Sequence, residues 1–373
     1  MITDIRLRRA HIDLVSPFRT SFGVETARDL LYLEVRGDGI TGWGECVAMS
    51  EPMYSSEPMY SLEYIDGCEA VLRRFLLPLV TSRTTAQQFA DAARDFRGHY
   101  MAKAVLETAL LDFGLRSEGV SLGKFLGAVK SRVPSGVSVG IQPTIDDLLR
   151  VVKGYLDDGY LRIKLKIEPG FDIEPVRAVR RVFGDELLLQ VDANSAYSVG
   201  DADHLSKLDE FNLLLIEQPL PEEQVAAHAE LAKTVRTPIC LDESILSAEV
   251  AREAIDIGAC TIINIKPGRV GGYLEAKEIH DLCYERGIAV WCGGMLETGI
   301  GRAANLALAA MPGFTLPGDT SASARYFHRD VTEPFVLREG HLDVPTGAGI
   351  GIDPDMGYLD EITDRVDIIA VAR

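Results

Sequence analysis

The feature that most constrains the fold is a ladder of charged residues set singly into apolar runs. It begins with Lys164 and Lys166 and continues through Asp192, Glu217, Asp242 and Lys266. From Lys166 the steps are 26, 25, 25 and 24 residues. Each step is the length of one strand, one helix and two short loops, the repeat of a parallel βα architecture. In a closed barrel of that kind, residues at strand ends converge on one mouth. A doubly wound open sheet also alternates strands and helices. It gives no reason for six charged groups to recur in register, and no G-x-G-x-x-G follows an early strand.

Strand-like apolar runs occupy residues 136–141, 162–167, 187–191, 213–217, 239–242, 261–266, 289–292 and 315–317, with amphipathic helical stretches such as 175–183 and 273–286 between most of them. Eight such units predict an α/β, TIM-type barrel. The first 130 residues read differently. Residues 5–14 and 30–35 alternate as antiparallel strands, and Gly37-Asp38-Gly39 supplies hairpin turn chemistry. Helical patterns follow at 63–77, 85–96 and 101–117, so this part is an α+β domain. From residue 326 strand and turn character returns, at 335–337 and 340–344, and is expected to fold back on the first domain.

A net charge of −18 argues against nucleic acid and anionic membrane as partners. The chain has no apolar run near the roughly 18 residues a membrane span needs, and no apolar stretch behind a basic start. Its six cysteines are scattered with no C-x-x-C pair, which fits reduced thiols in a cytoplasmic enzyme.

On a strand, Lys164 and Lys166 share one face while Ile163, Leu165 and Ile167 share the other. An edge strand with snorkelling lysines shows the same pattern. Inside a barrel, two desolvated ammonium groups disfavour each other's charge, which lowers the pKa of at least one and makes it a usable base. Asp192, Glu217 and Asp242 each end an apolar run. One buried acid is commonly an ion-pair partner or a cap; three in successive units call for a cation. All-oxygen ligation suits Mg²⁺, with Mn²⁺ or another divalent ion as substitute, and no histidine or cysteine at matching positions favours zinc. Lys266, on the sixth strand, faces the second-strand lysines across the barrel. A carboxylate substrate between them would have an amine on each face, an arrangement for abstracting a proton from the carbon beside the carboxylate. Two opposed bases permit racemisation; one base acting twice permits elimination.

The pattern of K-x-K, Asp, Glu, Asp and Lys resembles the muconate lactonising subgroup of the enolase superfamily, whose sites use lysine or histidine bases with magnesium. Pro17-Phe18-Arg19-Thr20-Ser21-Phe22-Gly23, Trp43-Gly44-Glu45-Cys46, Gly293-Gly294-Met295-Leu296-Glu297-Thr298-Gly299 and Gly318-Asp319-Thr320-Ser321-Ala322-Ser323 resemble more closely the o-succinylbenzoate synthase / N-succinylamino acid racemase family. The resemblance implies a (β/α)₇β barrel over residues 131–325, an α+β capping domain over 1–130 and a C-terminal segment, 326–373, that completes the cap. It implies Asp192, Glu217 and Asp242 as Mg²⁺ ligands and Lys166 as the base. Lys266 would stabilise an enediolate in dehydration and be the second base in racemisation, and Lys164 would tune Lys166. Around the substrate it places Ser138, Asn194 (behind the ligands), Gly294 and Met295, with Phe18, Phe22 and Tyr326 as an apolar wall.

One departure is a near-duplication: Glu51-Pro52-Met53-Tyr54-Ser55 recurs as Glu57-Pro58-Met59-Tyr60-Ser61. One copy reads as a surface insertion. Tyr60 is favoured as the family-equivalent tyrosine because its copy runs into the following helix. The implied activity is dehydration of a cyclohexadiene carboxylate to o-succinylbenzoate, a step in menaquinone synthesis, with N-succinylamino acid racemisation in the same site and, by analogy, in a homo-oligomer. A dedicated N-acylamino acid racemase is the alternative. A non-catalytic binder of small molecules is the alternative of a different class.

Overall fold

In a computed structural model, residues 1–21, 23–50 and 63–372 are described. Phe22, Tyr60 and the duplicated segment lie outside the described residues. The chain opens with strands β1 (Asp4–Arg19), β2 (Val24–Gly37) and β3 (Ile40–Cys46). Gly37 pairs with Ile40, so Asp38-Gly39 is a two-residue hairpin turn with both residues at positive φ, 51° and 76°. That is the turn a right-twisted hairpin prefers.

The inner face of this sheet packs on the helix Tyr100–Glu118. Gly42 and Gly44 make the approach possible. A Cβ on Gly44 would stand 2.1 Å from the Val105 carbonyl oxygen, and one on Gly42 would stand 2.4 Å from that of Ala109. The helix expected over 63–77 is shorter and irregular: Ile65–Val71 is α-helical, Leu72–Leu76 widens into a π-turn and Leu77–Leu79 tightens into a 3₁₀ turn. Pro78, which has no amide hydrogen to continue the ladder, sits in that last turn.

After a short strand β4 (Arg132–Pro134), seven parallel strands follow: β5 (Gly136–Val139), β6 (Arg162–Lys166), β7 (Leu188–Asp192), β8 (Ile216–Glu217), β9 (Ile239–Leu241), β10 (Ile262–Ile265) and β11 (Ala289–Cys292). They lie side by side in chain order as one sheet. The eighth strand expected at 315–317 is not a ladder strand. Phe314 bridges Val290 and Gly318 bridges Ser135, with Gly136 N–H donating to the Gly318 oxygen at 2.7 Å and Asp319 N–H to the Cys292 oxygen at 2.9 Å. These contacts join the first and last strands and close the TIM-type barrel. Pro317, between them, cannot donate to a ladder.

The C-terminal segment returns to the first sheet. Strand β12 (His341–Asp343) pairs with β4, and β13 (Thr363–Ala370) adds to the outer side of β1. Residues 335–337 form no strand: the Phe335 amide and carbonyl are taken by Ser323 at 3.0 and 2.9 Å.

Two buried glutamates stitch the N-terminal sheet and helices to the barrel. Glu45 accepts from the Thr298 and Gly301 amides, both at 2.9 Å, at the start of the helix Gly299–Ala309. Glu107 accepts from the Tyr273 and Leu274 amides at 3.1 and 3.0 Å, at the start of the helix Tyr273–Arg286. Each carboxylate satisfies amides that have no partner within their own helix. Burial pushes both carboxyls up to about 7. Among the described residues no helix is long and apolar enough to cross a membrane.

Candidate active site

Strand alternation sets the site. On β6, Ile163 and Leu165 pack outward among the helices, and Arg162, Lys164 and Lys166 point into the barrel. Lys166 stands in register with Asp192, and Asp192 with Glu217, so neighbouring strands deliver their charged ends to one level. Asp242 and Lys266 each follow the last residue of β9 and β10. Asp192, Glu217 and Asp242 have no exposed surface at all, and Lys164, Lys166 and Lys266 are buried with them.

The three lysines are bound into the acids. Lys164 Nζ lies 3.1 Å from Asp192 and 3.0 Å from Glu217, bridging the two. Lys166 Nζ reaches Asp192 Oδ2 and Asn194 Oδ1, both at 2.6 Å. Lys266 Nζ reaches Asp242 Oδ2 at 2.6 Å, and Arg269 Nε stands 3.1 Å from Asp242 Oδ1. The expectation that paired ammonium groups depress one another does not hold for Lys164. Burial lowers its pKa, but Asp319, Glu217 and Asp192 outweigh burial and hold it well above the usual lysine range.

The acids divide by their neighbours. Burial opposes ionisation of Asp192, yet Lys166 and Lys164 keep it below the ordinary carboxylate range; Arg269 and Lys266 do the same for Asp242. Glu217 is pushed well up, by burial first and then by Asp192. Such a carboxylate, crowded by two others, is the group that a bound cation would relieve. Among the described residues no three acidic, histidine or cysteine groups converge as a ready-made metal centre. Lys164 bridges Asp192 and Glu217, while Lys166 pairs with Asp192 and Lys266 with Asp242. The donor set itself fits a hard divalent ion: three buried carboxylates on successive strands, with Asn264 Nδ2 fixing Glu217 Oε1 at 2.7 Å and the Asn194 amide fixing Asp192 Oδ1 at 3.0 Å.

Above the charged floor a cavity opens between barrel mouth and N-terminal sheet. Lys164, Lys166 and Lys266 line its base, Ser138, Gly294 and Met295 its side. Phe18 and Tyr326 form its wall, edge to face at a centroid distance of 6.4 Å. Asn194 stands behind, donating through Nδ2 to Glu243 Oε1 at 2.9 Å while it holds Lys166.

Several residues of the site were not singled out by sequence reasoning. Asp319 pairs with Lys164 at 2.7 Å and with Arg162 at 2.8 Å. Gln218, at a left-handed φ of 37°, accepts from the Asp242 and Ser244 amides and so holds the loop that carries Asp242. Arg162 and Asn264 carry a period-two signal, each two residues from a named lysine. Gln218 and Glu243 directly follow the named acids but offer no periodic signal.

Residues 147–358 match the family of enolase C-terminal domain-like sequences, and residues 2–127 match the mandelate racemase / muconate lactonizing enzyme N-terminal domain. An N-succinylamino acid racemase of Amycolatopsis sp. is 59% identical over 364 residues, 97% of each chain. An o-succinylbenzoate synthase of Geobacillus kaustophilus is 47% identical, covering 96% of this chain and 94% of its own. The crystal structure of an enolase superfamily member from Listeria innocua Clip11262 superposes with a TM-score of 0.93 at 40% identity over 99% of both chains.

Proposed function

The chain belongs to the o-succinylbenzoate synthase / N-succinylamino acid racemase family of the enolase superfamily, and on that premise we propose that it catalyses both reactions in one site. It would dehydrate 2-succinyl-6-hydroxy-2,4-cyclohexadiene-1-carboxylate to o-succinylbenzoate and racemise N-succinylamino acids. The observation that carries this reading is that Lys166 and Lys266, from strands on opposite sides of the barrel, line one cavity directly above buried carboxylates.

A divalent cation held by Asp192, Glu217 and Asp242, Mg²⁺ by preference with Mn²⁺ as substitute, would supply the positive charge that makes the carbon beside a substrate carboxylate acidic. Lys166, as the free amine, would take the proton from that carbon. In the dehydration the same ammonium would pass its proton to the departing hydroxide, so that water leaves and the ring becomes aromatic. Lys266 would stand on the other face. As an ammonium it would oppose the negative charge that develops; in racemisation it would exchange a proton with the second face of the same carbon. Lys164, kept protonated by Asp319 and Glu217, would face the substrate carboxylate as a fixed cation. Ser138, Gly294 and Met295 would shape the side of the pocket, and Phe18 and Tyr326 its apolar wall.

A dedicated racemase is the second reading, favoured by the name of the Amycolatopsis relative. Purified protein with Mg²⁺ separates the two: one sample receives the cyclohexadiene carboxylate, another N-succinyl-L-phenylalanine in D₂O, and NMR follows each. Both reactions are expected. Racemisation alone would favour the second reading, and no turnover of either would overturn the proposal.

A further inference from the structure

Directly behind the cavity wall lies a cation that the reaction does not use. Arg325 ends the short 3₁₀ turn Ser323–Arg325 and places its guanidinium among three aromatic rings. Its Cζ lies 4.8 Å from the Tyr326 ring centroid, 5.1 Å from that of Tyr155 and 5.6 Å from that of Phe18. Its Nη2 donates to the Ser138 carbonyl at 3.1 Å. Phe18, Tyr326 and Ser138 all line the cavity; Arg325 does not, yet it contacts each of them. The rings come from three parts of the chain: Phe18 from β1, Tyr155 from the helix Ile145–Asp157 that follows the first barrel strand, and Tyr326 from the loop that closes the barrel.

We propose that Arg325 is a positioning residue that sets which substrate side chains the cavity accepts, by pinning Phe18 of the N-terminal sheet against Tyr326 of the barrel. The physical basis is the attraction of a partly desolvated cation to several ring faces at once, which strengthens as water is excluded. A second contact between the same two elements supports it: the Val15 amide donates to the Tyr326 carbonyl at 2.9 Å, so the backbone is already fastened and the guanidinium fixes the rings. Without the cation, Phe18, which is only partly buried, gains freedom to rotate away and the wall opens. On this proposal a large aromatic side chain of substrate would pack on that wall, and a methyl group would be too short to reach it. The inference rests on the racemase half of the proposed function.

The test compares N-succinylphenylalanine with N-succinylalanine in steady-state racemisation by the wild-type chain, Arg325→Met, Arg325→Lys and Tyr155→Leu. Arg325→Met is expected to raise KM for the phenylalanine substrate about tenfold with kcat little changed, and to leave the alanine substrate nearly unaffected. Arg325→Lys keeps the cation and should restore most of the discrimination. Tyr155→Leu, outside the cavity, should shift it the same way by less. If Arg325→Met does not fold, the other two variants carry the same comparison. Equal losses for both substrates, a fall in kcat alone, or discrimination unmoved in an active protein would overturn this inference alone. Wild-type protein inert toward both substrates would overturn the proposed racemisation and the inference with it.

Discussion

The Lys166 ammonium and the Asp192 carboxylate occupy directly opposed positions on neighbouring strands, with 2.6 Å between Nζ and Oδ2. The proposed base is therefore anchored to a proposed metal ligand, and Asn194 holds it from the other side at 2.6 Å. A cation that draws on Asp192 would loosen the first of these ties and leave the second. Replacing Lys166 by Ala should abolish dehydration and racemisation together, a loss of roughly 10³-fold or more, while far-UV circular dichroism stays unchanged. Retained dehydration would remove Lys166 from the role of base.

Asp242 is paired with two cations, Lys266 at 2.6 Å and Arg269 at 3.1 Å. Asp242→Asn keeps the shape and removes the charge. Mn²⁺ affinity, read by electron paramagnetic resonance, is expected to fall at least about tenfold, with turnover falling alongside. Full turnover with unchanged Mn²⁺ binding would contradict the ligand assignment. Chelation by EDTA should silence the wild-type chain, and added Mg²⁺ should revive it.

Much of this site was legible in the sequence because two periodicities coincide there. The spacing of about 25 residues separates successive strands, and the period of two within each strand turns the charged side chains inward together. Lys164, Lys166, Asp192, Glu217, Asp242 and Lys266 satisfy both. Arg162 and Asn264 satisfy the second and could have been read from it. Asp319 was quoted only as part of a motif. Its ion pair with Lys164 joins the first barrel strands to the closing segment, a contact that neither periodicity encodes. Closure without a full eighth strand escaped for a local reason, Pro317. The ties made by Glu45 and Glu107 escaped because a glutamate among apolar residues does not reveal that it will meet a helix start from a distant part of the chain.

Glu107 makes stability depend on pH. Its carboxyl is raised from 4.5 to about 7, chiefly by burial. Between those values the folded chain holds a proton that the unfolded chain has released, so stability is lost as pH rises through the window. The effect is on the order of 3 kcal/mol at its upper end. Glu107→Gln cannot titrate, and its urea-unfolding free energy should fall less between pH 5 and pH 7 than that of the wild-type chain. Parallel pH dependences would contradict the assignment.

The contact of Gly44 with the Val105 carbonyl leaves no room for a methyl group. Gly44→Ala must push β3 away from the helix Tyr100–Glu118 and should cost about 1–3 kcal/mol, seen as a lower thermal midpoint. An unchanged midpoint would show that the sheet and helix separate freely.

In the proposed site two amines approach one carbon from opposite faces. The most direct measurement is α-proton exchange of N-succinyl-D- and N-succinyl-L-phenylalanine in D₂O with Mg²⁺, followed by NMR for the wild-type chain, Lys166→Ala and Lys266→Ala. The wild-type chain should exchange both enantiomers, and each variant should exchange only one, a different one in each case. Loss of exchange from the same enantiomer in both variants, or retention of both enantiomers in either, would contradict it.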